Sequence, residues 1–223
     1  MPVSYPPLPL GDDLRALFRA AFANAEDLLA DAQLLLKSGR FPRAYGLATL
    51  SWQELGKGQL CLLAMVLPEI TPEDFWERFR DHEGKLGRVH LFADFMHLSP
   101  IGPMAEHARK VMGEARSTQN QKLRGLYVEY RRGKILLPSQ IGERAARNQI
   151  KTVKDALDFA AVAFAPGSLD EVIAQVCELL GGLKNAMVAG PDELVAAMQI
   201  AMHGGPQDHL QALIYQHAAI DVE

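Results

Sequence analysis

From Ala44 to Leu67 the chain reads AYGLATLSWQELGKGQLCLLAMVL, and within it only Glu54 and Lys57 are charged. A helix this apolar must be surrounded, either by protein or by lipid. The two charges decide between these. Near the centre of a membrane span each would cost about 2.5–3.5 kcal/mol on an insertion scale. The run therefore predicts the central helix of a soluble bundle and no membrane association. Glu54 and Lys57 are three residues apart and share a face. Glu54 lies on the row Ala44, Leu47, Ser51, Glu54, Gly58, Cys61 and Met65, which is mostly small and lets a second helix come close. A carboxylate there needs a partner or a change of protonation. Two readings stay open: an ion pair that locks a core, or a carboxylate kept for chemistry.

With 223 residues the chain has room for one sizeable core and a helical extension. Aromatic residues make up only 7% while alanine and leucine are abundant, which favours helices over sheets. Cys61 and Cys177 sit in apolar helical runs and form no disulfide framework, so a reducing cytoplasm is expected. The start, MPVSYPPLPLGDD, has neither the basic residues nor the apolar core of a signal peptide. Charge is uneven. Residues 104–154 hold twelve bases and four acids, whereas 155–223 hold ten acids and one base. That asymmetry fits a polyanion partner, or two solvated faces of opposite sign in one fold.

The proline-rich residues 1–13 read as an extended arm, 14–165 as a helical bundle, and 166–223 as an acidic helical extension packed on it. Gly11-Asp12-Asp13 can cap a first helix that ends near Ser38-Gly39. Pro42 fits the first turn of the apolar helix. Thr71-Pro72-Glu73-Asp74 starts a third helix, with a threonine cap, a first-turn proline and first-turn acids, and its pattern continues to about Leu98. A fourth helix is expected from Pro103 to about Lys122. Residues 126–137 then carry two short apolar runs around Arg131-Arg132-Gly133-Lys134, a small hairpin or extended loop. A fifth helix follows Pro138-Ser139 and reaches about Phe164. Three shorter helices are expected near 169–183, 192–203 and 206–219.

In the third helix His82 interrupts a core-facing row, and Arg78, His82 and Lys85 lie at i, i+4 and i+7. A histidine beside cations is a proton carrier near neutral pH; it is equally a core histidine bonded to Glu54 or a carbonyl. His90, His97 and His107 do not make a metal set, and the single Asp94-x-x-His97 pair falls short of the two that a di-iron bundle needs. No cofactor is expected: the chain lacks a Walker loop, a dinucleotide fingerprint and a serine elbow. Tyr127 and Tyr130 beside Arg124, Arg131 and Arg132 suit stacking on bases, or a tyrosine-anchored loop packed on the bundle.

One ordered set of motifs resembles a known family. It runs through Leu28-Leu29, Asp31-Ala32-Gln33-Leu34-Leu35, Glu54-Leu55-Gly56-Lys57, Phe75-Trp76, Phe79-Arg80-Asp81-His82, Lys85, Arg124-Gly125-Leu126-Tyr127-Val128 and Pro138. Over roughly 14–160 the chain resembles the AbiV-type abortive-infection proteins, a branch of the HEPN superfamily. The resemblance implies an all-α HEPN-like bundle that often dimerises and defends against phage through RNA or translation. Many HEPN proteins are metal-independent endoribonucleases with four to six residues between an arginine and a histidine. Here Arg78 and His82 enclose only three residues, and no pair has the wider gap. Carried over, the resemblance implies Glu54, Arg80, His82 and Tyr127 as the catalytic set. His82 would move the proton in an internal 2′-hydroxyl attack, with Glu54 orienting it. Lys57, Lys85, Arg124, Arg131 and Arg132 would hold RNA, and a phage or host protein would be the trigger. The alternative is a non-catalytic module that binds RNA, a nucleotide or a protein.

Overall fold

The computed structural model describes residues 5–67, 70–87, 104–131 and 133–163, with a few positions beyond. The chain divides into two compact units, residues 1–157 and 158–223. The first unit is an all-α bundle. Its elements are α1 (Asp12–Lys37), α2 (Phe41–Val66), α3 (Pro72–Arg80), a helical segment at 82–87, α4 (Met104–Leu126), strands β1 (Glu129–Arg131) and β2 (Lys134–Leu136), and the start of α5 (Glu143–Ala163). The expected helices of the C-terminal extension lie mostly outside the described residues, as do the end of the third-helix pattern and Asp94-x-x-His97. Among the described residues, no helix is long and apolar enough to cross a membrane.

Helices α1 and α2 form an antiparallel pair. The buried positions Leu14, Phe18, Ala21, Ala25, Leu29 and Ala32 lie on one stripe of α1. Their small members meet small residues of α2. Ser51 donates through Oγ to the carbonyl of Ala25 at 2.6 Å, and Gly58 faces the ring of Phe18. The turn between them is the one read from Ser38-Gly39: Gly39 takes φ 70°, and its N–H reaches back to the carbonyl of Leu36 at 3.0 Å.

Helix α2 is buried on nearly all sides, which explains its composition. α1 covers one flank; α3, α4 and the 3₁₀ turn Pro138–Gln140 also pack on it. Two glycines let backbones approach. A methyl group at Gly56 would lie 2.6 Å from the carbonyl oxygen of Lys85, and one at Gly125 would lie 2.5 Å from that of Pro42. The glycines of the ELGK and RGLYV motifs are thus contact points between elements.

Three expectations are corrected. Gly11 precedes α1 but contributes no side-chain cap; Asp12 and Asp13 act only as first-turn acids. The fourth helix runs past Lys122 to Leu126, and the hairpin occupies 129–136, with Glu129 opposite Leu136 and Arg131 opposite Lys134. The third helix is not continuous: Asp81 turns to ψ 105° and ends α3. The new turn begins there, with the N–H of Lys85 bonded to the carbonyl of Asp81 at 3.1 Å. Asp81 is a favoured helix-starting residue, and Gly84 and Gly87 weaken helical continuity. The cap at Thr71 is as expected, its Oγ accepting from the N–H of Asp74 at 3.1 Å.

These contacts make two alanine substitutions diverge. Gly56→Ala should destabilise by about 1–3 kcal/mol, because backbone must move to admit the methyl. Gly113→Ala, in open space on α4, should stabilise by about 0.5–1 kcal/mol by removing a helical glycine. Urea denaturation of both variants checks the contrast.

Candidate functional site

At the middle of α2, where a polar side chain is most costly, stands Gln53, 1% exposed. Its carboxamide uses both ends. Nε2 donates to the carbonyl of His82 at 3.2 Å and to Oε1 of Gln119 at 2.8 Å. Oε1 accepts from Nζ of Lys122 at 3.0 Å and lies 3.2 Å from Nδ1 of His82. A carbonyl can only accept and an ammonium can only donate, so these neighbours fix which way the amide points. Gln53 thereby joins α2 to α4 and to the segment after Asp81.

The same logic fixes the imidazole. Oε1 of Gln53 is an acceptor, so Nδ1 of His82 carries the hydrogen. His82 is an exposed residue whose Nδ1 edge is held against α2. Its pKa lies below the ordinary 6.5. Burial of that edge is the main cause, followed by the positive charges of Lys85, Lys122 and Lys57; Asp81 opposes them. At neutral pH the ring is therefore neutral, with its lone pair on Nε2.

Three lysines act on this ring. Lys122 is 4% exposed, and burial holds its pKa down. Its hydrogen-bond partner is the neutral Gln53, and no carboxylate pairs with it among the described residues. Lys85 is 2% exposed and donates to the carbonyl of Phe79 at 2.9 Å, in the last turn of α3, where the helix dipole favours a cation. Lys57 lies 5.3 Å over the centre of the Phe79 ring and 2.5 Å from Oε1 of Glu54. One aromatic residue thus holds two of the lysines, one by its ring and one by its backbone.

The residues expected from sequence separate into groups. His82, Lys57 and Lys85 come together around the end of α3. Glu54 pairs with Lys57, and His82 turns to Gln53 instead. Arg80 lies on the outside of α3, its guanidinium 5.6 Å from the centre of the Tyr5 ring. Arg124 is exposed and two residues past Lys122, so it emerges on nearly the opposite side of α4. Tyr127 is 61% exposed. The side chains of Arg131 and Arg132 lie outside the described residues. Gln53 and Lys122 were missed. The one available signal for Gln53 was a side chain with two donors and an acceptor inside an otherwise apolar helix. Cys61 is no nucleophile, since burial pushes its thiol up to about 12.

The family model described as AbiV, of the HEPN type, matches residues 13–158, which include α1, α2, α3, α4 and the hairpin. The chain belongs to the AbiV family of HEPN proteins. It is thus an abortive-infection protein of HEPN type. No curated protein and no solved structure matches it. The matched stretch contains Gln53, His82 and Lys122 together, so this centre lies inside the AbiV core.

Two outcomes follow from the geometry. Gln53→Leu leaves the His82 carbonyl, Gln119 and Lys122 without their partner and should cost roughly 3 kcal/mol by urea denaturation. The pH response has a definite sign. Because the folded pKa of His82 is depressed, the unfolded chain takes the proton first as pH falls below 6.5. This group's contribution to stability is complete above 6.5 and is lost as pH falls through the folded pKa. His82→Asn should flatten that part of the stability profile between pH 7 and 5.

Proposed function

We propose that this AbiV-type chain acts on RNA as a metal-independent endoribonuclease and that the scissile phosphodiester lies against the exposed edge of His82, which Gln53 positions from within the bundle. The observation that supports this reading best is the neutral His82 ring, tied by Nδ1 to Gln53, with its lone pair on Nε2 and lysines near it. A neutral imidazole among cations suits proton abstraction beside an anion. Nε2 takes the proton of a 2′-hydroxyl; that oxygen attacks phosphorus; the P–O5′ bond breaks. The products are a 2′,3′-cyclic phosphate and a 5′-hydroxyl, and the proton passes from the imidazolium to the departing oxygen. Lys57, Lys85 and Lys122 supply positive charge where negative charge builds up on the phosphoryl oxygens. Glu54 positions Lys57 in this scheme and does not orient His82. Action as a cytoplasmic homodimer, with a phage or host protein as trigger, belongs to the same proposal.

A second reading is an RNA-binding module without cleavage. It is favoured by the engagement of Glu54: the carboxylate on α2 nearest in sequence to the centre is bonded to Lys57 and does not share the proton with His82.

Purified protein incubated with RNA in excess chelator separates the two. The nuclease reading expects fragments ending in cyclic phosphate, a rate that falls at least about 100-fold in His82→Ala, and an acid limb of the rate profile below pH 6.5. RNA bound but left intact by the wild type selects the binding module. Neither binding nor cleavage, alone or in the presence of infected-cell extract, rejects both.

A further inference from the structure

On the exposed side of α3 the chain already holds a ligand of a recognisable kind: its own residues 5–7, Tyr-Pro-Pro. The indole N–H of Trp76 donates to the carbonyl of Pro6 at 2.9 Å, with that of Pro7 at 3.4 Å. The hydroxyl of Tyr5 donates to Oε1 of Glu77 at 3.0 Å, and the ring of Tyr5 lies under the guanidinium of Arg80. Trp76 is itself braced by the rings of Phe75 and Phe79, at 5.1 and 5.5 Å. Consecutive prolines hold an extended backbone whose carbonyls point outward and lack internal partners. An aromatic residue with a hydrogen-bond donor reads such carbonyls, and flanking polar residues read the side chain beside them.

We infer that the Trp76–Glu77–Arg80 face of α3 is a peptide-recognition site for an extended tyrosine–proline–proline segment, occupied in cis by residues 5–7 and open to the same segment of a protein partner. The features that bind the arm do not use its covalent attachment. All three hydrogen bonds are solvent-exposed. Pro6 and Pro7 are exposed as well, and Tyr5 is only half-buried. Contacts of this kind hold an arm because tethering keeps it at a local concentration of about millimolar, and they yield to a competitor that reaches a similar level. This site is independent of the reading of the Gln53 centre as a nuclease. It gives Arg80 a use different from the one expected of it.

The test uses the full chain and a fluorescently labelled peptide, VSYPPLPLG, which copies residues 3–11. Tyr5→Ala weakens the competitor in cis without touching α3. The peptide should bind this variant roughly fivefold or more tightly than wild type, by anisotropy. Adding Trp76→Phe to Tyr5→Ala keeps an aromatic ring but removes the donor, and should weaken binding roughly fivefold. Adding Arg80→Ala, a surface change that leaves the core intact, should weaken it roughly threefold. Equal binding to wild type and Tyr5→Ala, equal binding of a scrambled peptide, or indifference to both α3 substitutions would overturn the proposal.

Discussion

The enclosure of α2 is the constraint on which everything else rests. A helix packed upon by α1, α3 and α4 gives its polar side chains little access to water, which favours partners inside the bundle. Ser51 bonds across to the backbone of α1, Gln53 bonds to three other residues, and Glu54 and Lys57 bond to each other. Small residues allow the close packing that creates the demand. Without Gly56 the backbone at Lys85 could not come within reach, and the carbonyl of His82 could not meet Gln53.

From this constraint the character of the centre follows step by step. Gln53 is saturated, so its amide has one orientation. That orientation dictates the tautomer of His82. The break at Asp81 turns the segment 82–87 so that His82 offers both its carbonyl and its ring to α2. Lys85, from the same turn, closes the end of α3. Lys122 comes in from α4 with no carboxylate to neutralise it among the described residues. A group of cations held together around a neutral base is costly to build, and it makes chemical sense as the counterpart of an anion that arrives from outside.

Much of this was legible in the chain. The two charges in an apolar run identified α2 as the hub of a bundle. Thr71-Pro72 marked the start of α3, Gly39 the end of α1, and the order of ELGK, RDHxxK and RGLYV the family. What was not legible has physical reasons. Gln53 carries no charge, and its polar amide in an apolar helix is a weak signal; its role appears only when three residues converge on it through four contacts. Lys122 resembles any helical lysine until the packing removes its water. Helix periodicity runs straight through Asp81, because the apolar spacing does not register the break that Asp81, Gly84 and the Lys85 bond to the Phe79 carbonyl make. The resemblance assigns Arg80 to the catalytic set, whereas its guanidinium stands over the ring of Tyr5.

Burial and the neighbouring lysines hold His82 neutral, and Gln53 holds its hydrogen at Nδ1, leaving Nε2 available as a base. Long-range nitrogen–proton NMR of the ¹⁵N-labelled chain at pH 7 reads this directly. The account predicts a pyridine-like Nε2 and a pyrrole-like Nδ1 for His82, with the Nδ1 pattern lost in Gln53→Leu. A charged imidazolium at pH 7, or a ring with its hydrogen on Nε2, would contradict it.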